Sequence, residues 1–203
     1  MAFDEFTTIV VACGVVLVWY LTGLAYNRKL LGGYWIKIRD ELVTLHANPR
    51  IGKLRPNNVV IVVGALGKQL RNVVITIIVM GRQNPFSYAF SKLQKQRDTI
   101  SIRADLKNEP KTEYELLNKQ YPLTSSLLKH AFKSWHQESV IGTEFVYCSK
   151  RDAAPNFVRL KVINDLWRIS VRKDRPHLLI TLPTNRSLKQ LGWFHDLETF
   201  IAH

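Results

Sequence analysis

From Phe6 to Asn27 the chain runs through 22 consecutive residues without a formal charge, FTTIVVACGVVLVWYLTGLAYN. As a helix at about 1.5 Å per residue this run reaches roughly 33 Å, enough for a hydrocarbon layer of roughly 30 Å. Ten of its residues are Leu, Ile, Val or Phe, each favouring the bilayer centre by roughly 0.3–0.6 kcal/mol. Trp19, Tyr20 and Tyr26 fall in its later half, where amphipathic rings settle toward an interface. A buried core helix rarely needs such a length, and a cleaved signal would carry a basic leader and a shorter apolar stretch, whereas Asp4 and Glu5 stand here. The run therefore reads as a transmembrane helix over 6–27 behind a short external tail, 1–5. Arg28, Lys29, Lys37 and Arg39 follow it, so the positive-inside rule puts the N-terminus outside and the rest in the cytosol. The membrane would be the endoplasmic reticulum in a eukaryote or the plasma membrane in an archaeon.

The remainder is long enough to own a core. The whole chain has 203 residues with 29 Lys and Arg against 16 Asp and Glu. Because both N-terminal acids precede the apolar run, residues 28–203 carry 29 basic and 14 acidic side chains, a net of +15. Between Leu42 and Arg97 there is no acid at all, while Arg50, Lys53, Arg55, Lys68, Arg71, Arg82, Lys92, Lys95 and Arg97 contribute nine positive charges. Such a stretch suits an anionic partner. Lipid headgroups contribute about 1 kcal/mol per nearby basic residue, and a phosphate backbone adds a steep salt dependence. Composition alone weighs these two equally.

Periodicity supplies the elements. Leu31, Tyr34, Trp35, Ile38, Leu42 and Leu45 recur at helical spacing, predicting an amphipathic juxtamembrane helix over 28–48, bent at Gly32-Gly33 and ended by Asn48-Pro49. Val59–Val63 and Asn72–Met80 read as β-branched strands separated by GALGKQLR, either a β-hairpin or neighbouring buried strands. Asn84-Pro85 opens a helix to about Gln96 with Phe86, Phe90 and Leu93 on one face. Strands are expected at 99–106, 113–118, 143–148, 157–163, 166–172 and 177–182, with a tight Asn164-Asp165 connection, and helices at 124–137 and 187–202. Grouped strands predict an α+β domain over 49–203, mainly antiparallel sheet with three or four packed helices.

Catalytic signatures are missing from the sequence. Gly64-Ala65-Leu66-Gly67-Lys68 falls two residues short between its glycines for a phosphate loop and has Gln69 where Ser or Thr is needed. The six histidines show no metal-ligand spacing, and Cys13 and Cys148 form no framework. Trp35, Phe90, Trp135, Trp167 and Trp193 sit at core-like positions and read as packing. The expectation is a protein without enzymatic activity, cofactor or metal.

Asn27-Arg28-Lys29-Leu30, Trp35 and Arg39-Asp40-Glu41-Leu42 resemble the start of the cytosolic domain of the calumin family, the coiled-coil-domain-containing subunit of the PAT complex (protein associated with translocon). The order of parts is also similar, from the basic amphipathic helix through Val73 to Arg82-Gln83 and Thr99–Leu106 to His177–Pro183 and Ser187–Ile201. Against that pattern the chain reads as a short form, without the long acidic lumenal region and the basic C-terminal coiled coil. The resemblance implies a ribosome- and translocon-associated adaptor or intramembrane chaperone subunit for membrane-protein insertion. Its implied partners are the ribosome (RNA), the protein-conducting channel and a small hydrophobic membrane partner. The residues themselves add an anionic lipid surface. An accessory structural subunit of a membrane enzyme complex, its basic face on lipid, is the alternative.

Overall fold

A computed structural model of the chain describes residues 4–110, 113–118, 136–140, 143–149 and 166–184. Its first element is a 40-residue helix, α1 (Glu5–Thr44), which is long and apolar enough to cross a membrane. Up to Ala25 hardly any of it is covered, and from Asn27 onward it acquires a packed face. Asn27, Leu31, Ile38, Glu41 and Leu42 are buried, and Tyr34, Trp35 and Leu45 pack on the same core. The expected stripe is therefore present. The expected bend at Gly32-Gly33 is not: both glycines lie exposed within an unbroken helix, because the packed stripe runs straight through them.

α1 ends at Thr44 instead of reaching 48. His46 takes a left-handed conformation (φ 59°). The Ala47 N–H reaches the Leu42 carbonyl at 2.9 Å and the His46 N–H the Val43 carbonyl at 2.9 Å, which is a Schellman termination.

The remaining described elements are β1 (Arg50–Arg55), β2 (Asn58–Leu66), β3 (Leu70–Ile78), α2 (Pro85–Leu93), β4 (Thr99–Leu106), β5 (Tyr114–Asn118), β6 (His136–Val140), β7 (Thr143–Ser149), β8 (Arg168–Val171) and β9 (Leu178–Pro183). All nine of these strands join one antiparallel sheet in the order β1-β2-β3-β4-β9-β8-β5-β7-β6. The α+β class is as expected, and GALGKQLR makes the β2–β3 hairpin, with Leu66 opposite Leu70 and Gly67 at φ 61° in the turn.

Alternation along these strands builds the core. Val59, Ile61 and Val63 lie opposite Ile77, Ile75 and Val73, and the row continues through Ile100 and Ile102 to Leu182 and Ile180 and on to Ile169. All are buried, as period-two patterning demands of a sheet face covered by helix.

Three further expectations change. The sequence pattern announces no strand at β1, since three of its six residues are cations and its two large apolar residues, Ile51 and Leu54, stand three apart. α2 stops at Leu93 rather than Gln96, again by a Schellman termination, with Lys95 left-handed (φ 55°) and the Gln96 N–H on the Ser91 carbonyl at 2.9 Å. His136 and Gln137, expected at a helix end, open β6, where Val140 opposite Thr143 closes a hairpin ladder. α1 and α2 are the helices among the described residues. The rest of the helix expected at 124–137, the strand at 157–163, the Asn164-Asp165 step and the helix at 187–202 lie outside them.

Candidate polyanion surface and helix joint

Where α1 meets the sheet, one buried asparagine organises the contact. Asn27 is fully buried. The two N–H groups of its amide are shared among Asn57 Oδ1 (3.2 Å), the Met80 carbonyl (3.0 Å) and Gln83 Oε1 (3.0 Å), while Arg82 Nη1 donates to its oxygen (3.3 Å). An orphaned amide here would cost about 1–3 kcal/mol, so the β1–β2 turn and the β3–α2 loop are held to α1 by its satisfaction. One helical turn earlier, Gly23 lets the loop touch the helix: a Cβ there would lie 2.5 Å from the Arg82 carbonyl oxygen and 2.7 Å from Gln83 Cα. One further turn back, Trp19 Nε1 donates to that carbonyl at 3.0 Å.

Arg82 is the hub of this joint rather than a surface cation, which corrects its expected place among the anion contacts. Its Nη2 pairs with Asp98 Oδ2 at 2.9 Å, and its guanidinium lies 5.5 Å from the Tyr26 ring and 6.0 Å from the Tyr88 ring. Asp98, buried, also accepts the Met80 N–H at 2.8 Å, and its carbonyl accepts from Thr184. A pair this enclosed needs its extra hydrogen bonds to offset desolvation, and both partners have them. A cleft of about 580 Å³ beside it, between α1 and α2, is lined by Trp19, Thr22, Tyr26, Tyr34, Tyr88 and Lys92 among others.

The other cations separate into two groups. β1 is an edge strand and wholly exposed. Plain alternation would put Lys53 and Arg55 on the face of Ile51, with Arg50 on the opposite face. A bulge at Gly52 changes that: Ile51 and Leu54 lie opposite Ile61 and Val59, while Arg50, Lys53 and Arg55 lie opposite Val62, Val60 and Asn58. The two apolar residues thus turn toward α1, where with Leu31, Trp35 and Val59 they line a groove of about 390 Å³ bordered by Arg28 and Arg55, while the register sets all three cations in line with the other face, Arg55 at the strand end also reaching the groove. Arg71, exposed, and Lys68 in the β2–β3 turn extend the line. From the level of Asn58 to Lys68 this ladder climbs about 30 Å at roughly 3.3 Å per residue.

The second group lies at the joint. Lys92 stands over Tyr88 at 5.8 Å, and Lys95 and Arg97 are exposed just after α2. Arg28, Lys29 and Lys37 are exposed along α1, and Arg39 pairs with Asp40 at 2.8 Å. The structure also reverses the reading of Phe90 as packing. Phe86, Phe90 and Leu93 are 82%, 61% and 81% exposed, because α2 lies on the joint through its other side.

Among the described residues no group of three or more His, Cys, Asp or Glu is placed to hold a metal ion. No protein-family model matches the chain, and no curated protein matches it.

Proposed function

We propose that this chain is a single-pass membrane adaptor that presents a cationic ladder to a large polyanion, ribosomal RNA, beside a protein-conducting channel. In this reading α1 crosses the bilayer with its N-terminus outside, and the sheet stands in the cytosol. It acts by holding partners together and not by catalysis. The observation that carries the reading is the Gly52 bulge, which gathers Arg50, Lys53 and Arg55 on one face in line with Arg71 and Lys68.

Geometry favours a macromolecule over lipid for the far end of this group, which begins with Arg55 at the level of the joint. With the joint at the membrane surface, Lys68 stands about 30 Å above it, beyond the roughly 8–10 Å over which screened charges feel a surface. A ribosome offers phosphate at that height. The resemblance to the calumin family supports the same setting, with the exposed sides of α1 from Phe6 to Val18 left for the channel and a small hydrophobic partner.

Co-sedimentation of the full chain with ribosomes from solubilised membranes tests this. Reversing Lys53, Arg55, Lys68 and Arg71 to Glu should weaken binding and lower the salt slope by roughly 0.7–0.9 for each phosphate that is no longer neutralised. Absence of association at low salt, or a slope the four reversals leave unchanged, rejects the reading.

The alternative, an accessory subunit of a membrane enzyme complex, draws support from the apolar groove between α1 and the open edge of β1. Mild-detergent purification separates the two: ribosomal proteins and channel subunits accompany an adaptor, a stoichiometric enzyme accompanies a structural subunit.

A further inference from the structure

The exposed face of α2 has a place to go once its height along α1 is considered. Asp4 and Glu5 cannot enter hydrocarbon cheaply, so the apolar layer begins at Phe6 at the earliest. From Phe6 to Val18 the helix covers only about 20 Å. Yet at Trp19 it already donates to the Arg82 carbonyl, and at Gly23 it lies close against the same backbone, in the loop that leads into α2. A layer of roughly 30 Å must continue to about Ala25. The loop contact then lies roughly 3–9 Å inside the layer's cytosolic boundary, close to the 5–10 Å at which interfacial helices bury their apolar faces.

We propose that α2 is an interfacial helix which inserts Phe86, Phe90 and Leu93 among the acyl chains of the cytosolic leaflet, beside the span, while Lys92, Lys95 and Arg97 meet lipid phosphates. This rests on the reading of α1 as a membrane span. The three apolar residues follow i, i+4, i+7 spacing, which is one face. Cations on the flank match the anionic headgroups of that leaflet, and their long stems reach up from the boundary. The helix ends also suit the location. Asn84 Oδ1 accepts the Ser87 N–H at 3.0 Å, and the Schellman termination at Lys95 occupies carbonyls of the last turn, so fewer backbone groups need water. Arg82 and Asp98, the charges closest to the loop, are paired with each other inside the protein. The joint therefore gives the domain a two-point attachment, span and wedge, that sets its orientation to the membrane.

The experiment is depth-dependent quenching on the full chain. With Cys13 and Cys148 replaced by Ser, single cysteines at positions 86, 90 and 93 would each carry an environment-sensitive fluorophore. The protein would be reconstituted into phosphatidylcholine–phosphatidylglycerol vesicles whose acyl chains are brominated either near the headgroup or near the chain end. Val15→Cys marks the span. Gly64→Cys marks the exposed sheet, where an added Cβ meets nothing within 4 Å. Labels at 86, 90 and 93 are expected to lose fluorescence to shallow bromines more than to deep ones, the label at 15 to deep bromines, and the label at 64 to neither. Loss at 15 without loss at 86, 90 and 93 overturns the wedge and leaves the span intact. No loss at 15 removes the span, and the wedge with it. Blue-shifted but unquenched labels on α2 mean that protein, such as a second copy, covers this face, which also overturns the inference.

Discussion

Asn27 closes the uncharged run in sequence and opens the domain in space. Read along the chain it is one more residue of a span, and its amide acquires partners only because Asn57, Met80 and Gln83 arrive from 30 to 56 residues away. Gly23 is equally silent in sequence, and the contact around it is made of backbone atoms that cannot rotate aside. Gly23→Leu should lift the Arg82 loop from α1 and cost about 1–3 kcal/mol in thermal melts of the detergent-solubilised chain. The same change at exposed Ala25 should leave the melt alone, and equal effects at both sites would dismiss the joint. Arg82, counted among the free cations by composition, is cancelled by Asp98, the first acid after the acid-free stretch. Another residue answers to pH. Burial pushes the Tyr114 phenol far above its ordinary value of about 10. Below that value both states hold the proton. As pH rises through it, the unfolded chain loses the proton while the folded one keeps it, so stability falls. Tyr114→Phe should flatten the decline in denaturant midpoint above about pH 10, and an unchanged alkaline slope would count against this account.

At the scale of elements, legibility follows how much of each boundary is local. β4 is readable at both ends, since Thr99–Leu106 alternates and its neighbours on both sides are strands. Periodicity overruns the ends of both described helices, because their stops use His46 and Lys95 in left-handed conformations instead of the glycine that ordinarily announces a Schellman end. β1 escapes because its bulge breaks the period-two pattern by which strands are recognised. That bulge is testable. A Cβ at position 52 would stand 2.8 Å from Val62 Cγ2, so Gly52→Val should disturb the register of β1 and turn Arg50 away from Lys53 and Arg55. Ribosome binding should then weaken although no charge has changed. Full binding by Gly52→Val would show that cation number, not their common face, is what matters.

For the whole molecule, once Arg82 is set aside as the partner of Asp98, the other eight cations of the acid-free stretch form two populations with different distances from the apolar run. The ladder of β1, Arg71 and Lys68 climbs away from the joint, whereas Lys92, Lys95 and Arg97 stay beside it. The charge-reversal experiment should therefore be asymmetric: Lys92→Glu with Lys95→Glu should leave the salt slope of ribosome binding in place, while the ladder reversals lower it. Equal slopes from both sets would mean that net charge alone governs association.

The amino-acid order by itself determined the apolar run, the helical stripe from Leu31 to Leu42, the β2–β3 hairpin and the α+β class, since each rests on periodicity or on turn residues adjacent in sequence. Tertiary structure alone decided which charges remain available, which face β1 shows, and that the domain begins to grip α1 at Trp19, well inside the run. Those outcomes depend on long-range pairings, Arg82 with Asp98, Gly23 with the Arg82 loop, Ile51 with Ile61. Contact free energy between residues distant in sequence leaves no local pattern to read.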